Sequence, residues 1–100
     1  RKIMQVGVIA SFTALPGKGP ALLQALRDNV AFVREREPGC LRCDIFVATD
    51  DADRISLVEI YESQAAYDLH RSAPYGGELL ARVQPHMDGW PSAGLFSVDG

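Results

Sequence analysis

The run E-I-Y-E-S-Q-A-A-Y-D-L-H-R-S-A-P, Glu59 to Pro74, decides how this chain folds. It opens as a strand and reaches Ser63, a residue type suited to capping a helix, ahead of a short helix over 64–72. Pro74 then opens a second helix, since proline fits the first helical position. His70 follows Ala66 and Tyr67 at the four- and three-residue spacings that share one helix face, so all three belong on the stripe turned toward the sheet. Any reactive site is expected where this strand, helix and turn converge.

Upstream, Arg54 to Tyr61 is the strand that feeds the run, and Leu41 to Thr49 is another. In the latter, Leu41, Cys43, Ile45 and Val47 alternate with Arg42, Asp44, Phe46 and Ala48. The acidic link Asp50-Asp51-Ala52-Asp53 joins the two as a hairpin. Its aspartates lack the glycine and glutamate positions of a calcium loop, so turn chemistry is their reading. Further back, Ala21 to Glu35 is the clearest helix, with Leu23, Leu26, Val30 and Val33 apolar and Leu22 and Phe32 widening that face. Gln24, Arg27, Asp28 and Arg34 take its wet side, Pro20 suits its start, and Pro38-Gly39 stops it. Met4 to Thr13 is the first strand, apolar in both alternations. Downstream, the second helix carries Leu79, Leu80, Val83 and Met87 and starts loosely at Gly76-Gly77; Ala93 to Val98 is the last strand.

The order strand, helix, strand, strand, helix pair, strand is β-α-β-β-α-β. That is the α+β, ferredoxin-like arrangement of an antiparallel sheet with helices on one face. Both alternations of the strands remain apolar, Val58 and Ile60 as well as Ile55 and Leu57, so something must cover the far face. A twofold partner sheet is the economical cover, and a homodimer is expected.

Composition agrees with one domain over 1–100. At 47% hydrophobic, the chain has enough apolar material for a core without metal or disulfide staples. A net charge of −3, from 10 basic and 13 acidic residues without a cationic cluster, argues against nucleic acid and membrane-surface partners. No apolar run approaches the ~20 residues of a membrane span. R-K-I-M-Q-V-G-V-I-A at the start has a basic pair before apolar residues, but Gln5 interrupts it and no cleavage pattern follows, so a strand is expected rather than a signal peptide. Cys40 and Cys43 form a C-x-x-C that leads into a strand instead of a helix, and zinc would need two more ligands at closer spacing than His70 and His86 offer. Two reduced, half-buried thiols are expected, and with them a cytoplasmic protein.

Two runs resemble a known family. E-P-G-C-L-R-C-D at 37–44 is similar to E-P-G-C-x-x-Y-D, and V-E-I-Y-E-S-Q-A-A-Y-D-L-H-R-S-A-P at 58–74 is similar to E-x-W-x-S-x-x-A-x-x-x-H-x-x-x-P. Both patterns are those of the antibiotic biosynthesis monooxygenase domain, and the likeness covers nearly the whole chain. The resemblance implies a dimeric α+β barrel with a pocket between sheet and helices in each protomer. It also implies oxygenation of phenolic or quinol-type substrates by dioxygen without metal or flavin, so no cofactor is expected. One relative isomerises the phosphorylated autoinducer-2 sugar, and P-H-M-D-G-W-P at 85–91 is similar to it. Against the family patterns, Tyr61 stands for tryptophan, Cys43 for tyrosine, and Tyr75 for the histidine often found after the proline. Haem-degrading members are matched least: Ala10, His70 and Leu80 fall where they carry asparagine, tryptophan and the haem-ligating histidine.

His70 is the candidate catalytic residue, an imidazole being able to take a proton from a phenol or hydroxyketone near neutral pH; its structural alternative is a helix histidine bonded to a carbonyl. Glu59 and Tyr61 share a strand face with Ile55 and Leu57. Glu59 in that apolar company would suit acid–base work, or would simply be paired with an arginine or a hydroxyl. Tyr61 is expected to pack helix on sheet or to orient a substrate. Tyr67 and Tyr75 bracket His70 and would stack on a planar ligand, unless they too are core. Met87 and Trp90 are assigned to the pocket's far wall, with plain packing as the alternative, and His86 is expected to be exposed. No metal site is expected. The function expected is a cofactor-independent monooxygenase. The alternatives are a cofactor-free isomerase or tautomerase of a small hydroxyketone and a non-catalytic, dimeric ligand-binding or stress-associated module.

Overall fold

In the computed structural model, residues 4–99 are described. Arg1 and Lys2, the basic pair weighed above as part of a signal peptide, lie outside them. The elements are β1 (Val6–Thr13), α1 (Gly19–Arg36), β2 (Cys40–Ala48), β3 (Asp51–Tyr61), α2 (Gln64–Ser72), α3 (Gly76–Val83) and β4 (Ser92–Ser97), with a 3-10 turn at Gln84–His86. The sheet order is β2-β3-β1-β4, every neighbouring pair antiparallel. This is the α+β, ferredoxin-like arrangement expected from the chain order. No helix among the described residues is long and apolar enough to cross a membrane.

The core lies between the sheet and α1. Val6, Val8, Ala10 and Phe12 of β1 and Ile55, Leu57 and Tyr61 of β3 point inward and are buried. From α1, Leu22, Leu26, Val30 and Val33 come down onto them at helical spacing. Burying each such leucine is worth about 1.5–3 kcal/mol, so α1 is held chiefly by this stripe. Leu22, assigned only to the margin of the apolar face, is fully buried, and Leu23 is only partly so.

Two register shifts depart from simple alternation. Cys40 pairs with Tyr61 and Arg42 with Ile60, which leaves Leu41 as an extra, exposed residue. The bulge reverses the expected grouping: Cys40 rather than Leu41 joins Cys43 on the inner face. At the other end Val47 pairs with Ile55 but Ala48 with Asp51, so Ala52–Arg54 has no counterpart on β2. The hairpin turn is therefore Thr49-Asp50 alone, and Asp51 to Asp53, expected in the turn, already belong to β3.

That detour gives Asp53 its job. Its carboxylate accepts from the backbone N–H of Gly17 at 3.0 Å and of Gly19 at 2.8 Å. Lys18 supplies no side-chain cap to α1, so a neighbouring strand satisfies these helix-start donors instead. Gly19 is required by the approach: a Cβ there would sit 2.0 Å from the Ala52 carbonyl oxygen.

Ser63 caps α2 as expected, its hydroxyl accepting from Ala66 N at 3.1 Å. After Pro74 the chain makes one more turn before α3 starts, with Tyr75 at its N-cap. Met87 lies beyond that helix, past the 3-10 turn, where Ala14 and Met87 form an antiparallel bridge.

Candidate functional site

Between α1, the sheet and the α2–α3 pair lies a cavity of about 350 Å³. Phe12, Leu26, Val30, Val33, Leu57, Leu79, Leu80 and Val83 make its walls apolar, and Asn29, Cys43, Glu59, His70 and Arg71 supply the polar atoms. This is the size and chemistry of a small-molecule site: mostly apolar, with few polar groups.

His70 enters from the last turn of α2. Its side chain is 23% exposed, and Nδ1 lies 2.8 Å from Oε1 of Glu37. The ring sits beside Tyr61, centroids 5.2 Å apart, and 6.3 Å from Tyr67. The carbonyl partner foreseen as the structural alternative is replaced by a carboxylate. Glu37, only 11% exposed at its side chain, accepts through its other oxygen from the Tyr75 hydroxyl. Tyr75 also meets Phe32 edge-on at 5.0 Å, and it is not among the residues that line the cavity.

Glu59 lines the cavity and accepts from the Tyr61 hydroxyl at 2.6 Å. Residues two apart on a strand share a face, which is why these two meet. Tyr61 is fully buried beneath the site. Burial first, and then the charge of Glu59, push its phenol well above the usual tyrosine range, so it stays a neutral donor. Tyr67 packs edge-to-face on Tyr61 at 5.5 Å, as half-buried support and not cavity wall. Cys43 is a wall residue. Burial, then Glu59, push its thiol up to about 12, which leaves it protonated and a poor nucleophile. Both cysteines are free.

The far wall differs from expectation. Trp90 is 71% exposed and does not line the cavity; its neighbour Pro91 does. The indole follows the Asp88-Gly89 bend and precedes β4, at an exposed position. Met87 is buried in the main core cluster, bridged to Ala14, and does not line the cavity. His86, expected in solvent, is half-buried, and its carbonyl accepts from Leu15 N at 2.9 Å.

Three residues outside the expected site set belong to the site. Glu37 stands in the E-P-G-C run, where it reads as part of a helix stop. Asn29 falls on the apolar face of α1, three after Leu26, and a polar residue there was the available signal. Its amide donates to Leu79 O at 2.9 Å and its oxygen accepts from Arg82 at 3.4 Å, tying α1 to α3 across the cavity. Arg71 follows His70 and reaches the cavity rim, which no spacing rule marks.

Fold and cavity define a small α+β domain of ferredoxin-like topology with a histidine–carboxylate pair beside an apolar pocket. Residues 5–81 match the family model for antibiotic biosynthesis monooxygenase, and the chain belongs to that family. Among solved structures, a Caulobacter crescentus CB15 protein superposes with a TM-score of 0.87 at 24% identity, over 99% of this chain and 93% of its own. A Shewanella oneidensis protein gives 0.82 at 28%, over 95% and 91%. A Mycobacterium tuberculosis protein gives 0.81 at 27%, over 96% of each chain. No match is found among curated proteins.

Proposed function

We propose that the protein is a cofactor-independent monooxygenase that oxidises a small phenolic or quinol-type substrate with dioxygen. The observation that carries this reading is the imidazole of His70 on the wall of a mostly apolar cavity of about 350 Å³, which the carboxylate of Glu59 also lines. His70 takes the substrate's hydroxyl proton. The electron-rich anion passes one electron to dioxygen, and the radical pair combines at carbon as a peroxide. Proton return from His70 gives the hydroperoxide, and loss of water, with the second substrate hydrogen, leaves one oxygen on the product. Substrate and dioxygen thus yield oxygenated product and water, and the substrate is the only reductant. The chain's part is to hold the ring, move the proton and keep the cavity dry.

Glu59, a second residue of the cavity wall and hydrogen-bonded to Tyr61, favours one other reading: a second proton-handling group suits an isomerase of a small hydroxyketone. Oxygen uptake separates the two. With a panel of quinols and phenols, the monooxygenase consumes oxygen in step with product and stops under nitrogen, whereas an isomerase continues. His70→Ala is expected to lower the oxygen-dependent rate by roughly a hundredfold or more, the usual worth of a general base. An alanine variant as fast as the parent would remove His70 from the scheme.

A further inference from the structure

We propose that Glu37 is a positioning residue that fixes the tautomer and orientation of His70, an inference that rests on His70 being the base. Glu37 ends α1. Its backbone N–H donates to Val33 O at 2.8 Å, and its carbonyl accepts from Cys40 N at 3.0 Å. With Pro38 following, the backbone is held on both sides, so the carboxylate is presented from a fixed platform. Each oxygen then meets one partner: Oε1 lies 2.8 Å from His70 Nδ1 of α2, and Oε2 accepts from the Tyr75 hydroxyl in the α2–α3 link.

An ionised carboxylate only accepts, so the neutral imidazole must carry its hydrogen on Nδ1. The opposite tautomer would point a lone pair at a carboxylate oxygen. Nε2 is left with the free lone pair, which is the atom a base needs. Tyr61, packed 5.2 Å from the imidazole centroid, restricts tilting of the ring. The Tyr75 hydroxyl satisfies the second carboxylate oxygen and leaves Oε1 to the imidazole. The bonds from His70 and Tyr75 span 33 and 38 residues of chain, so the clasp joins the end of α1 to the end of α2 and the start of α3.

The test reads the ring itself. Long-range 1H–15N correlation of the neutral ring in the unliganded wild type is expected to show His70 as the Nδ1–H form. Glu37→Gln is expected to introduce the Nε2–H form, while Tyr75→Phe, which leaves Oε1 untouched, keeps the wild-type pattern. In oxygen uptake, Glu37→Gln lowers kcat by about tenfold to a thousandfold, with KM within about threefold, the signature of a misoriented base and not of a lost contact. A wild-type ring in the Nε2–H form overturns the proposal, as does a Glu37→Gln ring unchanged in tautomer. If no substrate supports oxygen uptake, the monooxygenase reading fails, and the tautomer spectra still decide whether Glu37 sets the imidazole. Should Glu37→Gln fail to fold, the wild-type spectrum alone decides.

Discussion

Cys43 shows how one buried group becomes a pH dependence. Its thiol is pushed up to about 12 by burial first and Glu59 second, from an ordinary value of 9.0. Cys40 moves the same way for the same leading reason, and Tyr75 is pushed up to about 12 by desolvation and its bond to Glu37. In the unfolded chain these groups release protons at their ordinary values, while the folded chain still holds them. Above pH 9.0 the unfolded state therefore binds fewer protons, and stability falls as pH rises toward about 12. Below pH 9.0 the contribution is fully present. Urea midpoints are expected to decline through this window, with a shallower decline in Cys43→Ala. Equal slopes would place the titration elsewhere. At this scale the sequence was only partly legible. Helical spacing put His70 with Tyr67 on the stripe of α2 that faces the sheet, and there the ring lies 6.3 Å from Tyr67 and 5.2 Å from Tyr61 of the strand beneath. Glu37 reaches His70 only through the fold, 33 residues away, and no local period encodes such a meeting. Trp90 failed for the converse reason: aromatic character says that a residue packs well but not that a neighbour is there to receive it.

Among the elements, α2 was read to the residue because its signals are local: a serine cap, an apolar stripe and a proline two residues past its end. The ends of β2 and the start of β3 were misread because a bulge is a property of two strands, and one strand's alternation cannot reveal it. The seat of α2 is tighter than its own sequence suggests. A Cβ at Gly39 would lie 2.7 Å from Cβ of Ala66, a contact that a short side chain cannot relieve by rotating. Gly39 also accepts from Glu62 N at 2.9 Å, so the loop cannot back away without losing that bond. Gly39→Ala is therefore expected to push α2 outward, costing about 1–3 kcal/mol as an overpacked contact. The displacement lengthens the His70–Glu37 bond, and activity falls with stability. Denaturant unfolding together with His70 ring shifts checks this. A variant as stable as the parent with unchanged ring shifts would show that the loop gives way instead.

At the scale of the whole molecule, one face is unfinished. Phe46 is 56% exposed, Ile9 and Phe96 are exposed too, and the paired Val58 and Ile60 are only half-buried, all on the side of the sheet away from the helices. The alternation that made both faces apolar in the sequence is thus half used within the described residues, and the inner half forms the core. A second copy remains the expected cover for this face, since a twofold axis would set like against like and the apolar set would need no different complement. Symmetry also doubles every substitution. Phe46→Glu with Ile9→Asp would bring four carboxylates into one interface while removing four apolar side chains, each worth about 1.5–3 kcal/mol when buried. Neither position belongs to the inner core, so the protomer keeps its fold. Light scattering is expected to give twice the chain mass for the parent and once for the double variant, with unchanged far-ultraviolet circular dichroism. A parent that is monomeric at micromolar concentration would mean this face serves something other than a second copy. A double variant that stays dimeric would move the interface off the sheet.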